Sequence, residues 1–331
     1  MGNVLISSAG RRVSLVRAFQ KELSDLGSEG RVFAIDAKPE LSAACAVADK
    51  SEAAPALTDP SYTDFLCSFV RRHEIKLIVP TIDTELQLLS AARDHIRDAG
   101  AILAVSSPGF LDICRDKRRT QAFFQERGIT TPREVPLDND PFLPLYAKPI
   151  DGSSSKDNYL IATPEDLYRY RPLLESTPGM IYMEAVNREE WDEYTIDLYY
   201  DRDGRLRCAV PRVRLATRSG EVVNATTHRN DLVPLMFDTF GSIPGALGCI
   251  TLQLFRHRDG GRYIGIEINA RFGGGFPLSY AAGANYPGWL LREHLLGQKI
   301  ATCNDWKAGL TMLRYDQEIL VSPESKVSHE V

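Results

Sequence analysis

The sequence has no apolar run approaching the ~20 residues that cross a bilayer, no C-x-x-C pair among its 6 cysteines and no H-E-x-x-H cluster among its 6 histidines. These absences exclude a helical membrane anchor, a zinc knuckle and a disulfide framework. They leave Cys45, Cys67, Cys114, Cys208, Cys249 and Cys303 expected as reduced, mostly buried thiols. Basic residues are too few for a dedicated nucleic-acid binder, with 39 Lys and Arg against 44 Asp and Glu and a net charge of −5. The one dense basic spot, "RDKRR" at 115–119, suits a smaller anion. The opening "MGNVLISSAGRR" lacks the charged, apolar and cleavage regions of a secretory signal, so a cytoplasmic location is expected. No internal repeat is found. What remains is an ordinary globular composition, 44% hydrophobic and 25% charged, over 331 residues, enough for about two or three compact units.

The first third alternates strands and helices. "NVLIS" (Asn3–Ser7) reads as a buried strand, and "SLVRAFQKEL" carries Leu15, Val16, Phe19 and Leu23 at helical spacing. "RVFAID", "KLIVP" and "AILAVS" read as further strands and "YTDFLCSFVRRH" as a helix, with Thr84 as N-cap of another helix containing Leu86, Leu88 and Leu89. Strands spaced by helices predict a parallel sheet with helices on both faces, whose ligands sit at the carboxyl ends of the strands. "SSAGRR", Asp36 and "PTIDTE" fall there. Asp36, Asp83 and Glu85 are read either as contacts to a second substrate or as helix caps, capping being preferred for Asp83.

Near residue 110 the rhythm changes. "DKRRTQAFFQERG" is expected as a helix stopped at Gly128. Strands then dominate: "LYAKPI", "MIYMEAV", "EYTIDLYY", "LRCAVPRVRLAT", "CITLQLFRH" and "RYIGIEINA", with hairpin turns at "DRDG" (Asp201–Gly204) and "RDGG" (Arg258–Gly261). This is an antiparallel α+β region, followed after Ser322 by a polar stretch expected to fray.

Three constellations carry chemistry. In "YIGIEINARF", strand alternation sends Ile264, Ile266 and Ile268 to one face and Gly265, Glu267 and Asn269 to the other. A hairpin about "RDGG" brings Gln253 opposite Glu267, so that three oxygen-bearing side chains meet on one patch. Hard cations such as Mg2+ take such ligands together with phosphates, and Arg271 adds a fixed charge for an anionic oxygen. Three consecutive glycines, Gly273–Gly275, cost chain entropy unless backbone must approach something closely. A plain polar sheet face is the competing reading. In "YAKPIDGSSSKDN", Lys148 ends a strand before a Gly/Ser loop able to cradle phosphates, or is incidental to an exposed turn. In "MEAVNREEWDEYTIDLYY", Glu184 ends one strand and Glu193 opens the next, a geometry for adenine and ribose or a solvated acidic loop. Arg212, Arg214 and Arg218 either line the mouth where a carboxylate enters or form a solvated basic face.

Taken in order, these motifs resemble the ATP-grasp superfamily, most closely its branch similar to the halves of the carbamoyl phosphate synthase large subunit. The resemblance spans nearly the whole chain. It implies a Rossmann-like α/β preATP-grasp domain with a parallel sheet over 1–110. An α+β ATP-grasp fold with antiparallel sheets follows, with its lid over 111–185, its core over 186–320 and a flexible tail over 321–331. It implies ATP and Mg2+, with Mn2+ able to replace it, as cofactors. Lys117 and Lys148 are implied as phosphate ligands and Gly152–Lys156, with Ser153, Ser154 and Ser155, as the loop over the triphosphate. Glu184 and Val186 match the adenine hinge and Glu193 the ribose acid. Gln253, Glu267 and Asn269 match the metal ligands, and Arg271, with Lys148, the catalytic positions. The loop is poorer in glycine than the family's, and Asp157 beside a triphosphate must turn outward.

The implied activity is an ADP-forming ligase that joins a small-molecule carboxylate to an amine or thiol through an acyl phosphate, with a homodimer as the family-level assembly. Two variants stay open: phosphorylation of a carboxylate with ammonia supplied by a partner, and a nucleotide-binding module of low activity. A nicotinamide-dependent dehydrogenase ranks low, because "SSAGRR" lacks the G-x-G-x-x-G spacing.

Overall fold

Strands at the N terminus pair in parallel, as the βα rhythm predicts. The computed structural model describes residues 2–137, 141–151, 157–218 and 220–322, and chain contacts divide it into two units. The first takes residues up to 105 together with 287–299 and the segment from 313. Its elements are β1 (Asn3–Ser7), α1 (Val13–Asp25), β2 (Val32–Asp36), α2 (Ala43–Val47), β3 (Lys50–Ala53), α3 (Tyr62–Arg72), β4 (Ile75–Pro80), α4 (Asp83–Ala91), α5 (Arg93–Ala99) and β5 (Ile102–Leu103). The sheet order is β3-β2-β1-β4-β5, every pairing parallel. Val4, Leu5 and Ile6 are fully buried, as expected for a strand covered on both faces. The predicted stripe Leu15, Val16, Phe19 and Leu23 is the buried side of α1.

Two expectations fail here. "AILAVS" supplies only a two-residue strand, Ile102–Leu103. The N-cap of α4 falls on Ile82, in extended backbone and without a capping side chain, so neither Thr84 nor Asp83 caps it. Asp36 instead accepts from the Gly10 amide at 2.9 Å, pinning the loop after β1. Glu85 is fully buried and accepts from the Tyr62 hydroxyl at 2.5 Å.

The second unit spans 106–286 and 300–312. The single helix expected at "DKRRTQAFFQERG" is really the second of two, α6 (Pro108–Arg115) and α7 (Lys117–Gln125). Asp116 breaks them apart, its carboxylate accepting from the amides of Arg118 and Arg119 as an N-cap. Gly128, at φ 73°, follows α7 in the left-handed region that favours glycine. Next come β6 (Leu145–Pro149), β7 (Tyr159–Ile161), α8 (Pro164–Ser176) and β8 (Met180–Glu184), whose strands form a sheet in the order β7-β6-β8. Its core is Val135, Leu145, Ala147, Ile161, Leu167 and Leu174.

The larger sheet is built from β9 (Trp191–Tyr200), β10 (Leu206–Arg218), β11 (Glu221–Thr227), then, after α9 (Leu232–Phe240), β12 (Gly248–His257) and β13 (Tyr263–Asn269). Helices α10 (Phe276–Ala281) and α11 (Tyr286–Leu295) precede the short β14 (Thr311–Leu313), and the order is β13-β12-β9-β10-β11-β14. The hairpins expected at "DRDG" and "RDGG" both form, joining β9 to β10 and β12 to β13 in antiparallel register.

Register across this sheet creates the site. Glu267 pairs with Gln253, Gln253 with Thr195, and Thr195 with Arg212. One step along, Asn269 pairs with Thr251 and Thr251 with Asp197. One step the other way, Phe255 pairs with Glu193. Alternation therefore puts Glu193, Thr195, Asp197, Arg212, Arg214, Gln253, Glu267 and Asn269 on one face. Simple alternation breaks at Ile266. The register jumps there, so that Leu254 pairs with Gly265 and Phe255 with Ile264, a β-bulge that re-aims the side chains on either side of it. Gly265 thus leaves the polar face predicted for it and lies against the Phe124 ring, where any Cβ would collide.

Candidate nucleotide and metal site

The centre of the polar face is Glu267. Its Oε1 accepts from Gln253 Nε2 at 2.5 Å and from Asn269 Nδ2 at 3.0 Å. Both amides have their oxygens turned to arginines: Arg214 Nη1 donates to Gln253 Oε1 at 2.8 Å and Arg271 Nη2 to Asn269 Oδ1 at 3.4 Å. A guanidinium only donates and a carboxylate only accepts, so these neighbours fix which end of each amide faces which partner. Both hydrogen bonds to Glu267 converge on Oε1, leaving Oε2 without one among the described residues.

Two lysines complete the centre. Lys117 opens α7 and Lys148 lies on β6; their exposures are 7% and 6%. The backbone N–H and the Nζ of Lys117 both donate to the Ile150 carbonyl, at 3.1 and 3.3 Å, tying α7 to the strand that carries Lys148. Burial pushes the Lys148 ammonium down to about 8, opposed by attraction to Glu267 and reinforced by repulsion from Lys117. Lys148 therefore senses both groups electrostatically.

Glu193 is 13% exposed at its side chain, and its two oxygens meet Arg188 at 2.7 Å and Arg214 at 2.8 Å. Glu184 ends β8, its amide bonded to the Arg133 carbonyl and its carboxylate 3.5 Å from the Arg133 guanidinium. Val186 is half-buried two residues on. Ser153, Ser154 and Ser155, with the rest of Gly152–Lys156, lie outside the described residues. Asp157 just beyond is exposed, at φ 58°, a backbone state that Asp tolerates.

The expectation for Arg212 is overturned. It is fully buried rather than at a mouth, making two hydrogen bonds to Asp197 at 2.9 and 2.8 Å. Asp197 also accepts from Ser279 Oγ at 2.6 Å. Arg214 is not a solvated basic residue either, since it joins Glu193 to Gln253. Sequence reasoning missed Thr195, Asp197 and Ser279; alternation along "EYTID" puts Asp197 on the face of Glu193 and was the available signal.

All six cysteines are free thiols, no group of three His, Cys, Asp or Glu able to hold a metal is found among the described residues, and no helix among them is long and apolar enough to cross a membrane.

Residues 4–104 match the family described as PylC-like, N-terminal domain, and residues 176–318 the family described as ATP-grasp in the biosynthetic pathway with Ter operon. No curated protein matches the chain. Among solved structures, the biotin carboxylase domain of 2-oxoglutarate carboxylase from Hydrogenobacter thermophilus, in complex with MgADP, ADP and bicarbonate, is 14% identical. It covers 93% of this chain and 73% of its own, with a TM-score of 0.69. L-amino acid ligase from Bacillus licheniformis is 17% identical, covering 89% and 74%, with a TM-score of 0.64. N5-carboxyaminoimidazole ribonucleotide synthetase from Thermus thermophilus is 16% identical, covering 90% and 79%, also at 0.64. At such identities the likeness to these enzymes is one of fold, and the narrower likeness to carbamoyl phosphate synthase stays with the motifs that carry it. With a parallel-sheet domain and an antiparallel domain each matched by its own family, the chain belongs to the ATP-grasp superfamily, a PylC-like preATP-grasp domain followed by an ATP-grasp domain.

Proposed function

We propose that the protein is an ADP-forming ligase that activates a small-molecule carboxylate with ATP and transfers the acyl group to an amine or thiol. The observation that carries this reading is the convergence on one sheet face of a half-buried carboxylate, two bridging amides and two arginines, with a buried lysine sensing that carboxylate. Phosphoryl transfer needs positioning and charge neutralisation more than acid–base groups, and this set supplies both.

In this reading Lys117 and Lys148 hold phosphate oxygens, and the loop of Ser153, Ser154 and Ser155 covers them. The main chain at Glu184 and Val186 borders the adenine. Glu193 takes the ribose hydroxyls once Arg188, 68% exposed, swings away from it. A divalent cation belongs at Glu267, between Gln253 and Asn269. The donors fit a hard cation, because Glu267 has an oxygen without a hydrogen bond among the described residues and the Asn269 amide, held by Arg271 only at 3.4 Å, can offer its oxygen by turning. When bound, Mg2+ (or Mn2+) neutralises charge on the phosphates. Arg271 holds the transferred phosphoryl oxygens. Gly273–Gly275 allow close backbone approach to the acyl group. The preATP-grasp domain over 1–110, the lid over 111–185 and the core over 186–320 are the corresponding divisions; a cytoplasmic homodimer is the proposed setting.

The test is release of ADP and phosphate from ATP–Mg2+ against paired panels of carboxylates and amines, with hydroxylamine as trap. Substrate-dependent ADP release, with a hydroxamate formed in hydroxylamine, is expected. Hydroxamate formation with no amine or thiol ever accepted would move the reading to phosphorylation alone. Thermal protection by NAD and not by ATP–Mg2+ would overturn it.

A further inference from the structure

Resting on that reading, we propose that the site takes a single divalent cation per nucleotide, and that Arg214, acting through Gln253, stands as a fixed positive charge in place of a second. Gln253 pairs with Glu267 and is placed to ligate a metal beside it. Its only side-chain oxygen, however, accepts from Arg214 Nη1 at 2.8 Å, and what it turns toward Glu267 is its NH2 group. The guanidinium charge held 2.8 Å from that oxygen repels a second cation there.

Arg214 is not a loosely held surface residue that a cation would displace. Its side chain is 9% exposed, the same Nη1 is 2.8 Å from Glu193, and Nη2 donates to the Gly220 carbonyl at 2.8 Å. Its Nε is buried with no hydrogen-bond partner among the described residues. Apart from Asp197, whose charge Arg212 balances in the buried pair, the carboxylates of the face are Glu267, which the cation needs, and Glu193, already paired with Arg214 and Arg188. Against them stand Lys117, Lys148, Arg214 and Arg271. In a half-buried site one divalent cation and a triphosphate bring this set near neutrality, whereas a second divalent cation leaves uncompensated positive charge. Arg214 is thus a positioning residue: it orients the Gln253 amide and sets the cation count.

The experiment counts bound Mn2+ by the loss of its free electron paramagnetic resonance signal, with the full chain saturated by a non-hydrolysable ATP analogue. One Mn2+ per chain is expected for the wild type. Two are expected for Arg214→Met, which frees the Gln253 oxygen, and independently for Gln253→Glu, which adds a carboxylate. Two Mn2+ in the wild type would overturn the proposal while leaving the functional reading intact. One Mn2+ in both variants would overturn the role given to Arg214. No analogue-dependent Mn2+ binding would overturn proposal and reading together.

Discussion

Gln253 and Glu267 meet across neighbouring strands, the amide of one donating to the carboxylate of the other at 2.5 Å, and Asn269 completes the same carboxylate from its own strand. Glu267 is the only one of the three that carries charge. Glu267→Gln retains an oxygen for both amide donors and removes the charge, so the fold should change by no more than about 0.5 kcal/mol. Turnover should fall by roughly 100-fold or more, the scale seen when one preorganised electrostatic group is lost. ADP release and thermal melts on the same preparation check this; unimpaired turnover would remove Glu267 from the site.

Lys148 gives the nucleotide site a pH dependence of definite sign. Burial brings its ammonium down to about 8, so the charge that attracts phosphate is full below that pH and lost above it. Nucleotide affinity should weaken as pH rises through 8. Lys148→Arg keeps its charge and should flatten the profile, even if the planar fork lowers affinity throughout. Titrations of ATP–Mg2+ on either side of pH 8 with both proteins measure the effect; identical slopes would assign it elsewhere.

How much of this was legible from sequence depended on the range of the interactions. The pairing of Gln253 with Glu267 followed from two local facts, strand period and the "RDGG" turn, and it held. The bulge at Ile266 did not follow, because it goes with the seating of Phe124 of α7 on Gly265, a contact between segments far apart in sequence. Arg212 and Arg214 have the same residue type and alternate on one strand, so sequence could not separate their roles. Only the neighbouring strand, with Asp197 beside one and Glu193 beside the other, makes one structural and the other part of the site. Asp83 and Thr84 looked like caps because their type favours that position, yet the helix starts after Ile82 in extended backbone.

Glu85 should make the first unit more stable in acid than at neutral pH. Burial raises its carboxyl, with the hydrogen bond from Tyr62 acting the other way and Asp36 adding to the rise. A carboxyl raised in the folded state binds its proton more tightly there than in the unfolded chain. Its contribution is therefore full below the unfolded value near 4.5 and is lost as pH climbs through the folded one. Glu85→Gln removes the titration while keeping an acceptor for Tyr62. Relative to this variant, the wild type should lose melting temperature as pH rises above 4.5; parallel curves would show that Glu85 does not titrate in that range.

Arg212 and Asp197 form a bidentate pair at 2.9 and 2.8 Å on the same sheet face as Glu267, with both side chains fully buried. The pair is packed against Gly275, where any Cβ would overlap Arg212 Nη1, so it also shapes the glycine segment after Arg271. Removing one member of such a pair strands a charge out of water, at a cost of about 3–5 kcal/mol, whereas removing both leaves none to strand. Asp197→Asn and Arg212→Met should each destabilise by about that amount, and the double variant by clearly less than their sum. Urea unfolding of the four proteins gives the cycle directly. An additive cycle would mean that packing and the Ser279 hydrogen bond, not the paired charges, hold this part of the sheet together.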